Sequence, residues 1–231
     1  MGNNPSRFIN SSNPVERVSW NDCQEFIAKL NAKTDTKAGK YTLPTEAQWE
    51  YACRAGSENK FCFGGDKPGL LTYGWHVKNS ESVAHPVGEK KPNAWGFYDM
   101  HGNVAEWCQD WHQPDYYEKS PTEDPVGPAA GKVRVVRGGF WGASAWRSRS
   151  AYRDHNSPGR YGRHLGLRLC LVQLESWPTK KGPPPSYSPV PPCQSLVWKG
   201  DAGRPSLLTR LGYASFDQPK RALTGTGTSL D

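Results

Sequence analysis

No stretch of this 231-residue chain approaches the roughly 18 consecutive apolar residues of a membrane-spanning helix. The first twelve residues, MGNNPSRFINSS, also lack the apolar core of a secretory signal peptide. We therefore expect a protein without a membrane span and, by default, a cytoplasmic location.

Closely spaced cysteine pairs are also missing. The six cysteines are scattered without the CxxC spacing that marks zinc sites, so neither a zinc site nor a dense disulfide framework is predicted. Buried thiols in a reducing compartment are the favoured interpretation. The cysteines are Cys23, Cys53, Cys62, Cys108, Cys170 and Cys193.

Hydrophobic residues make up only 35% of the chain, but they include 10 Trp and 10 Tyr, so the core is expected to rely on aromatic side chains. With 24 Gly and 20 Pro, the composition favours turns over long helices. Two capping boxes, which begin at Ser19 and Thr45, predict short helices over 20–32 and 46–55.

Short strands are predicted where apolar residues alternate or where valines cluster. These places are 104–107, 133–136 and 165–169, while loops and short strands are expected over 57–98. From residue 171 the chain is rich in proline and has no useful period, which predicts a disordered tail over 171–231. A small second domain there is the alternative.

The positive charge is concentrated around the last two predicted strands. Residues 132–169 contain nine Lys and Arg and one acid, a net charge of +8, whereas the whole chain carries +7. Some 25 residues in the middle of this stretch follow neither a helical nor a strand period. An aperiodic loop of that length inside a compact domain is usually functional, so the candidate functional segment is placed here.

Six segments resemble the formylglycine-generating enzyme (sulfatase-modifying factor) family and follow its order. They are MGNNPSRF at 1–8, NPVERVSW at 13–20, LPTEAQWEYACRAG at 43–56, HPVGEKKPNAWGFYDMHGNVAEWCQDW at 85–111, VRGGFW at 136–141 and LGLRL at 165–169. The resemblance implies one α+β domain over 1–170 with a C-type-lectin-like fold, built from two short helices, short strands and long loops. In the family the first segment lies inside the domain, so the resemblance also implies that the opening strands are missing.

The resemblance implies oxidase chemistry that the residues do not match. The family's enzymes convert a substrate cysteine to formylglycine with two active-site cysteines that bind copper(I), and soft thiolates suit that metal. The corresponding span, 140–152, contains no cysteine. Copper is therefore not expected, and formylglycine generation is kept as an alternative. A related branch uses a His-rich iron site, which the six isolated histidines do not match.

The same resemblance implies a calcium site. Family members bind calcium around a GN-x-x-E turn, and calcium prefers carboxylate and carbonyl oxygens. Carried over by position, the ligands would be the carboxylates of Asp99 and Glu106 and the backbone oxygens of Gly102 and Val104. The alternative is a pair of solvated acids near a turn.

Residues 140–164 also resemble the variable region of diversity-generating retroelement proteins built on this fold. The fixed motifs RGGFW, RSAYR and LGLRL frame heterogeneous positions, as expected if asparagine codons of a template are changed at their adenines. Such changes cannot produce Met, Trp, Lys, Gln or Glu; by composition about 4.5 of these are expected over 142–164, and one, Trp146, is present. The resemblance implies a ligand-binding face whose frame includes Trp141 and Arg168.

The predicted ligand contacts are rich in residues that recur in antibody-like binding surfaces. Arg147, Tyr152, Arg160, Tyr161 and Arg163 are the expected anchors for a protein or other macromolecular ligand. A nucleic acid or an acidic ligand, bound by the basic charge, and an ordinary surface loop are the alternatives. The full predicted set is Gly142, Ala143, Ser144, Arg147, Ser148, Tyr152, Asp154, His155, Asn156, Ser157, Arg160, Tyr161, Arg163 and His164.

Overall fold

The computed structural model describes residues 4–34, 39–65 and 67–172. Short elements joined by long loops make up the α+β fold that the sequence predicts. In chain order they are α1 (Trp20–Lys33), β1 (Lys40–Thr42), α2 (Glu46–Arg54), α3 (Leu70–Tyr73), β2 (Ala105–Trp111), β3 (Arg134–Arg137), β4 (Asp154–Asn156), β5 (Leu165–Leu167) and β6 (Cys170–Val172). The predicted tail lies, from residue 173 onward, outside the described residues. Within the described ranges, none of the helices combines the length and the apolar character needed to cross a bilayer.

The two longer helices begin where the capping boxes predict. At α1 the Ser19 hydroxyl oxygen accepts from Asp22 N, and an Asp22 carboxylate oxygen accepts from Ser19 N at 2.9 Å. Thr45 and Gln48 make the equivalent pair of bonds at α2. Each box satisfies two backbone N–H groups that would otherwise lack partners. The bounds expected for both helices are therefore correct to within one residue.

The strands form a four-stranded sheet in the order β4-β3-β2-β5 and a two-stranded sheet of β1 and β6. β5 pairs parallel with β2, whereas β3 is antiparallel to both β2 and β4. The strand expected over 165–169 is confirmed as β5, which ends two residues earlier at Leu167, and the next strand, β6, pairs with β1. The two strands are separated at Arg168, whose side chain pairs with Glu106 in the interior.

The core lies on both faces of the larger sheet, and aromatic side chains fill much of it, as predicted. Trp107 of β2 packs with Val136 and with Cys23 and Ile27 of α1. On the other face, the neighbouring strand residues pack against α2, in a cluster formed by Trp49, Ala52, Cys53, Phe97, Met100, Cys108 and Val135. Because both faces of β2 are covered, its sequence shows little of the polar–apolar alternation of a surface strand.

Residues 57–98 contain no strand among those described there, so the short strands expected in this region are wrong. The region holds the single turn of α3 and one isolated bridge between Phe61 and Gly64. Asparagine side chains supply bonds that a partner strand would otherwise make. The Asn93 carbonyl, for example, accepts from the backbone N atoms of Trp95 and Phe97, both at 3.0 Å.

Candidate ligand-binding face

Residues 140–164, hereafter the binding segment, leave the sheet after β3 through a tight turn and return to it at β5. Gly138 and Gly139 form that turn with φ values of 96° and 69°, which favour glycine. A Cβ atom on Gly139 would lie 2.5 Å from Ser148 Oγ and 3.0 Å from Ser148 Cα, so no side chain fits there. The two glycines therefore fix the point at which the binding segment begins.

Trp141 joins the start of the binding segment to its end. Its side chain is only 6% exposed, and its backbone N donates to Asn103 O at 2.8 Å. Its indole Nε1 donates to Arg163 O at 3.1 Å, across 22 residues of chain. The predicted role of Trp141 in the frame is confirmed. Arg168, the other predicted frame residue, is also buried.

Two arginines tie the middle of the binding segment to α2. The buried Arg137 donates to Tyr152 O at 2.9 Å and to Ser150 O at 2.6 Å, and it lies 3.3 Å from the Glu46 carboxylate. Arg153 makes two bonds to the same carboxylate, from Nε at 2.8 Å and from Nη2 at 2.9 Å. A guanidinium presents its donors in a rigid fork, so these contacts fix the backbone as well as pair the charges.

Twelve of the fourteen predicted ligand contacts reach the surface at least in part. The exposed residues are Ser144, Arg147, His155, Ser157, Arg160, Tyr161 and Arg163, and the half-buried ones are Gly142, Tyr152, Asp154, Asn156 and His164. The framework contacts and the surface side chains therefore belong to different positions of the same segment. This separation allows surface residues to change without disturbing the backbone.

The other two predicted contacts, Ala143 and Ser148, are corrected by the structure. Ala143 is 2% exposed, because its N donates to Phe140 O and its O accepts from Val77 N in the turn that follows Trp141. Ser148 is fully buried, with its backbone O accepting from His101 Nδ1 at 2.8 Å. Both residues belong to the frame.

Five of the predicted residues line one small pocket that opens to solvent and has internal room for about one water molecule. Its polar wall consists of Arg147, Tyr152, Asp154, Asn156 and His164, together with the inner Arg137. Its apolar wall consists of Ala105, Val136, Gly139, Phe140 and Leu165. The sequence therefore identified the polar wall, whereas the apolar wall comes from the sheet and its turn.

The two charged side chains at the outer side of this pocket, Arg147 and Asp154, form only a loose pair. Arg147 lies 3.8 Å from Asp154, with both side chains partly in solvent. The His164 ring lies on the Phe140 ring, with centroids 4.4 Å apart. Burial lowers the pKa of His164; Asp154 opposes this shift, whereas nearby arginines such as Arg160 reinforce it. An anion in the pocket would meet a cation and a ring that becomes easier to protonate as negative charge approaches.

Trp146 and Arg149 form a surface feature that the sequence analysis missed. Trp146 is 55% exposed, and the Arg149 guanidinium carbon lies 3.4 Å from the centre of its ring. Arg149 Nε also donates to Trp146 O at 3.1 Å. The available signal was the spacing, because side chains three residues apart lie above one another in a 3-10 turn, here Ala145–Ser148. Arg149 had been assigned to a fixed motif instead.

Of the two predicted carboxylate ligands of calcium, Glu106 is engaged by protein contacts, whereas Asp99 keeps one oxygen without a hydrogen-bond partner among the described residues. Glu106 accepts from Arg168 through both carboxylate oxygens, at 2.7 and 2.8 Å, and from Trp49 Nε1 at 2.7 Å. Asp99 is buried as well, and one of its oxygens accepts from Gly88 N at 2.8 Å. Its other oxygen has no hydrogen-bond partner among the described residues, and burial raises the pKa of Asp99.

The two residues expected to supply backbone oxygens, Gly102 and Val104, lie in closely packed surroundings. At Gly102 a Cβ atom would lie 2.1 Å from Trp75 O, and Val104 is buried beside Trp141. In the described part of the chain, no group of three or more His, Cys, Asp or Glu side chains is placed to hold a metal ion. Calcium binding stays a prediction of the resemblance, while the geometry gives Glu106 a structural role.

Most of the described thiols are buried. Cys23, Cys53, Cys108 and Cys170 are buried and Cys62 is half-buried, and all five are free. Burial raises the pKa of both Cys23 and Cys53 to about 12, so these groups stay protonated at neutral pH. None of the five lies in the binding segment. The prediction of buried thiols is thus confirmed for four of the five described cysteines, and Cys193 lies outside the described residues.

Comparison with known proteins identifies one family. Residues 2–172 match the model of the sulfatase-modifying factor enzyme 1-like domain. The formylglycine-generating enzyme of Streptomyces coelicolor is 39% identical over 177 residues, which are 69% of this chain and 52% of that protein. The mouse formylglycine-generating enzyme is 36% identical over 190 residues, 75% of this chain and 48% of that protein. The chain thus spans about half the length of these relatives.

Two solved structures share both fold and sequence with this chain. Treponema denticola variable protein 1 superposes with a TM-score of 0.68 at 35% identity, over 73% of this chain and 77% of that one. PvdO from Pseudomonas aeruginosa superposes with a TM-score of 0.62 at 32% identity, over 68% of this chain and 61% of that one.

Proposed function

Because the chain belongs to the family of sulfatase-modifying factor enzyme 1-like domains, we propose that it is a ligand-binding member of that family. The binding segment is its contact surface, and the ligand is a protein or another macromolecule. In this proposal the domain supplies a rigid support and does not oxidise a substrate cysteine.

The observation that carries this proposal is the division of the binding segment into buried framework residues and surface residues. Trp141, Ser148 and Arg153 hold its backbone through contacts with the rest of the domain. Twelve predicted contact positions lie at or near the surface, at other positions of the same segment. A backbone that is already fixed loses little conformational entropy when its side chains contact a partner, which favours affinity.

The same division supports diversification of the retroelement type. The fixed motifs supply buried residues such as Arg137, Trp141 and Arg168, whereas the heterogeneous positions lie mostly at the surface. One structure that this chain resembles is itself named a variable protein. The decisive observation would be a near-identical template copy of the coding stretch for 140–169 beside a reverse-transcriptase gene, with differences at adenines. Mismatches at other bases, or the absence of such a copy, would contradict diversification.

Family membership supports a second candidate, a formylglycine-generating oxidase, since relatives with that name are 39% and 36% identical. The oxidase requires a pair of thiolates, and the chain has no cysteine between Cys108 and Cys170. Cys53 and Cys108, which share the core cluster between the sheet and α2, are buried, and burial raises the pKa of both. We therefore rank binding above oxidation.

The binding proposal is tested by replacing Arg147, Arg160 and Arg163 with serine together. All three side chains are exposed, so each substitution should change the free energy of unfolding by no more than about 0.5 kcal/mol. In matched affinity captures followed by mass spectrometry, partners retained by the parent should be lost by this variant. A variant that keeps the same partners, or one that unfolds, would contradict the proposed face.

A further inference from the structure

The surface of the binding segment carries cations without matching anions. The segment contains five arginines and one acid, Asp154. Within the described part of the chain, only Arg153 among the five has a close bond to an acid, Glu46, which ties it to the frame. Arg147, Arg149, Arg160 and Arg163 remain. Among the described residues the one ion pair formed by these four is the 3.8 Å contact of Arg147 with Asp154.

Arg149 is prepared for a two-point contact with an anion. Its guanidinium lies 3.4 Å from the centre of the Trp146 ring, and its Nε is bonded to Trp146 O. The stack and the bond restrict the side chain, while the two terminal Nη groups have no carboxylate partner among the described residues. A restricted guanidinium with free donors binds a carboxylate at a smaller entropic cost than a flexible lysine would.

Arg147 offers a second contact at the pocket. A pair of half-exposed charges 3.8 Å apart contributes little, so a stronger acceptor can displace Asp154 from Arg147. The polar wall beside it includes Asn156, Tyr152 and His164, and the opposite lining is the apolar wall defined above. A carboxylate held at the mouth of this small pocket would reach Arg147, and the carbon atoms beside it would face the apolar residues.

The ring contacts favour a peptide over a single-stranded nucleic acid. Bases bind such surfaces by stacking on open aromatic faces. One face of Trp146 is covered by Arg149, and Phe140 packs against both Trp141 and His164. A peptide carboxylate needs only the guanidinium edges, which these stacks leave accessible.

We propose that the partner presents an acidic peptide segment, with one Asp or Glu carboxylate bound by Arg149 on Trp146 and another bound by Arg147 at the mouth of the pocket. The proposal rests on the proposed function, because it names the class of ligand that the binding segment accepts. It makes Arg149 a contact residue, although its sequence motif suggested a framework role.

The test uses the full chain and four defined probes. They are a ten-residue peptide of Asp and Glu in alternation, its Asn and Gln counterpart, a ten-nucleotide thymidine oligonucleotide and a heparin fragment, all measured by fluorescence anisotropy at physiological salt. The acidic peptide should bind more tightly than the other three. Arg149→Gln and Arg147→Gln should each weaken it by about tenfold, as expected for loss of a charge-assisted hydrogen bond.

Three further variants sharpen the assignment. Lys33→Gln at the far end of α1 makes the same change in net charge, and should alter binding less than twofold if the contacts are local. Asp154→Asn frees Arg147 and should strengthen binding of the acidic peptide. Trp146→Phe keeps a ring under Arg149 and should retain more affinity than Trp146→Ala.

Results that contradict the acidic-peptide inference differ from those that contradict the proposed function. Equal binding of the acidic and amide peptides, tighter binding of the oligonucleotide or heparin, or no binding of the acidic peptide would overturn this inference. None of these outcomes would remove the proposed function, which is decided by partner capture with the triple serine variant. Loss of partners in that variant with no preference for the acidic peptide would leave a binding face with a different ligand chemistry.

Discussion

Arg168 and Glu106 form a buried two-point ion pair, with Nε–Oε2 at 2.8 Å and Nη2–Oε1 at 2.7 Å. The pair links the residue that follows β5 to the β2 strand beside it, and Trp49 of α2 bonds to the same carboxylate. Three elements that are far apart in sequence therefore meet at one side chain. Glu106 is a structural centre of the domain.

Replacing Glu106 with glutamine should destabilise the domain by about 3–5 kcal/mol, because the buried Arg168 would lose the negative charge to which it makes two short hydrogen bonds. Urea denaturation measures the loss. The same loss is expected with added calcium and with a chelator, since both carboxylate oxygens serve the frame. Glu25→Gln, which removes an exposed pair with Lys29 on α1, is the matched control and should leave the midpoint nearly unchanged. A Glu106→Gln effect seen only with calcium would return Glu106 to a metal site.

Trp141 and Trp146 should behave oppositely when each is changed to alanine. Trp141 is buried and bonded at two points, so its loss should cost about 3–5 kcal/mol of unfolding free energy. Trp146 is 55% exposed, so its loss should change stability by no more than about 0.5 kcal/mol. Thermal denaturation of both variants checks the contrast. Similar losses would mean that Trp146 packs into the domain.

Asp110 should make part of the stability depend on pH. Burial raises the pKa of Asp110 from its usual 3.8 to about 6, although one of its oxygens accepts from Glu46 N. The folded state therefore keeps a proton that the unfolded chain releases near pH 3.8. The stabilising contribution is complete below that pH and is lost as the pH rises to about 6, a change on the order of 3 kcal/mol.

Comparison with Asp110→Asn isolates this contribution, because the amide cannot ionise and its oxygen can still accept from Glu46 N. The stability of the variant relative to the parent should increase as the pH rises from 4 to 7. Subtracting the two urea series removes the opposite effect of the histidines, such as His112, whose pKa burial lowers. A difference that stays constant across this range would contradict the raised pKa of Asp110.

The chain should not generate formylglycine. Incubation with copper(I), oxygen and a peptide that contains CxPxR should give no aldehyde above the blank, because 140–152 contains no thiol. Mass spectrometry of the peptide, with the Streptomyces coelicolor relative as the positive control, measures the outcome. Turnover that a Cys108→Ser variant abolishes would show that a buried thiol reaches the peptide after all.

Local signals predicted the helices because a capping box is complete within four residues, as at Ser19 and Asp22. β4 escaped prediction because Asp154–Asn156 is polar and becomes a strand only by pairing with β3, about twenty residues earlier. Burial of Ser148 likewise depends on the close approach of Gly139. Such pairings leave no periodic trace in the chain.

The candidate site likewise depends on contacts between residues far apart in the sequence, which local patterns do not reveal. Its arginines and tyrosines were visible in the composition of the binding segment, but composition does not separate Arg153, bonded to Glu46 across 107 residues, from the exposed Arg147. Glu106 was expected to bind a metal because its motif matched. Its partner Arg168 lies 62 residues away, a distance over which no local pattern could assign the pair.

The order β4-β3-β2-β5 places β4, from the binding segment, at one edge of the sheet and β5, where that segment ends, at the other. The segment must therefore span the whole width of the sheet between two fixed registers. Exchanging one amino acid for another at its surface leaves this span intact, whereas adding or deleting a residue within β4 would shift that edge strand out of register. Diversification of this segment is therefore expected to act through substitutions, and insertions or deletions within β4 are expected to be excluded.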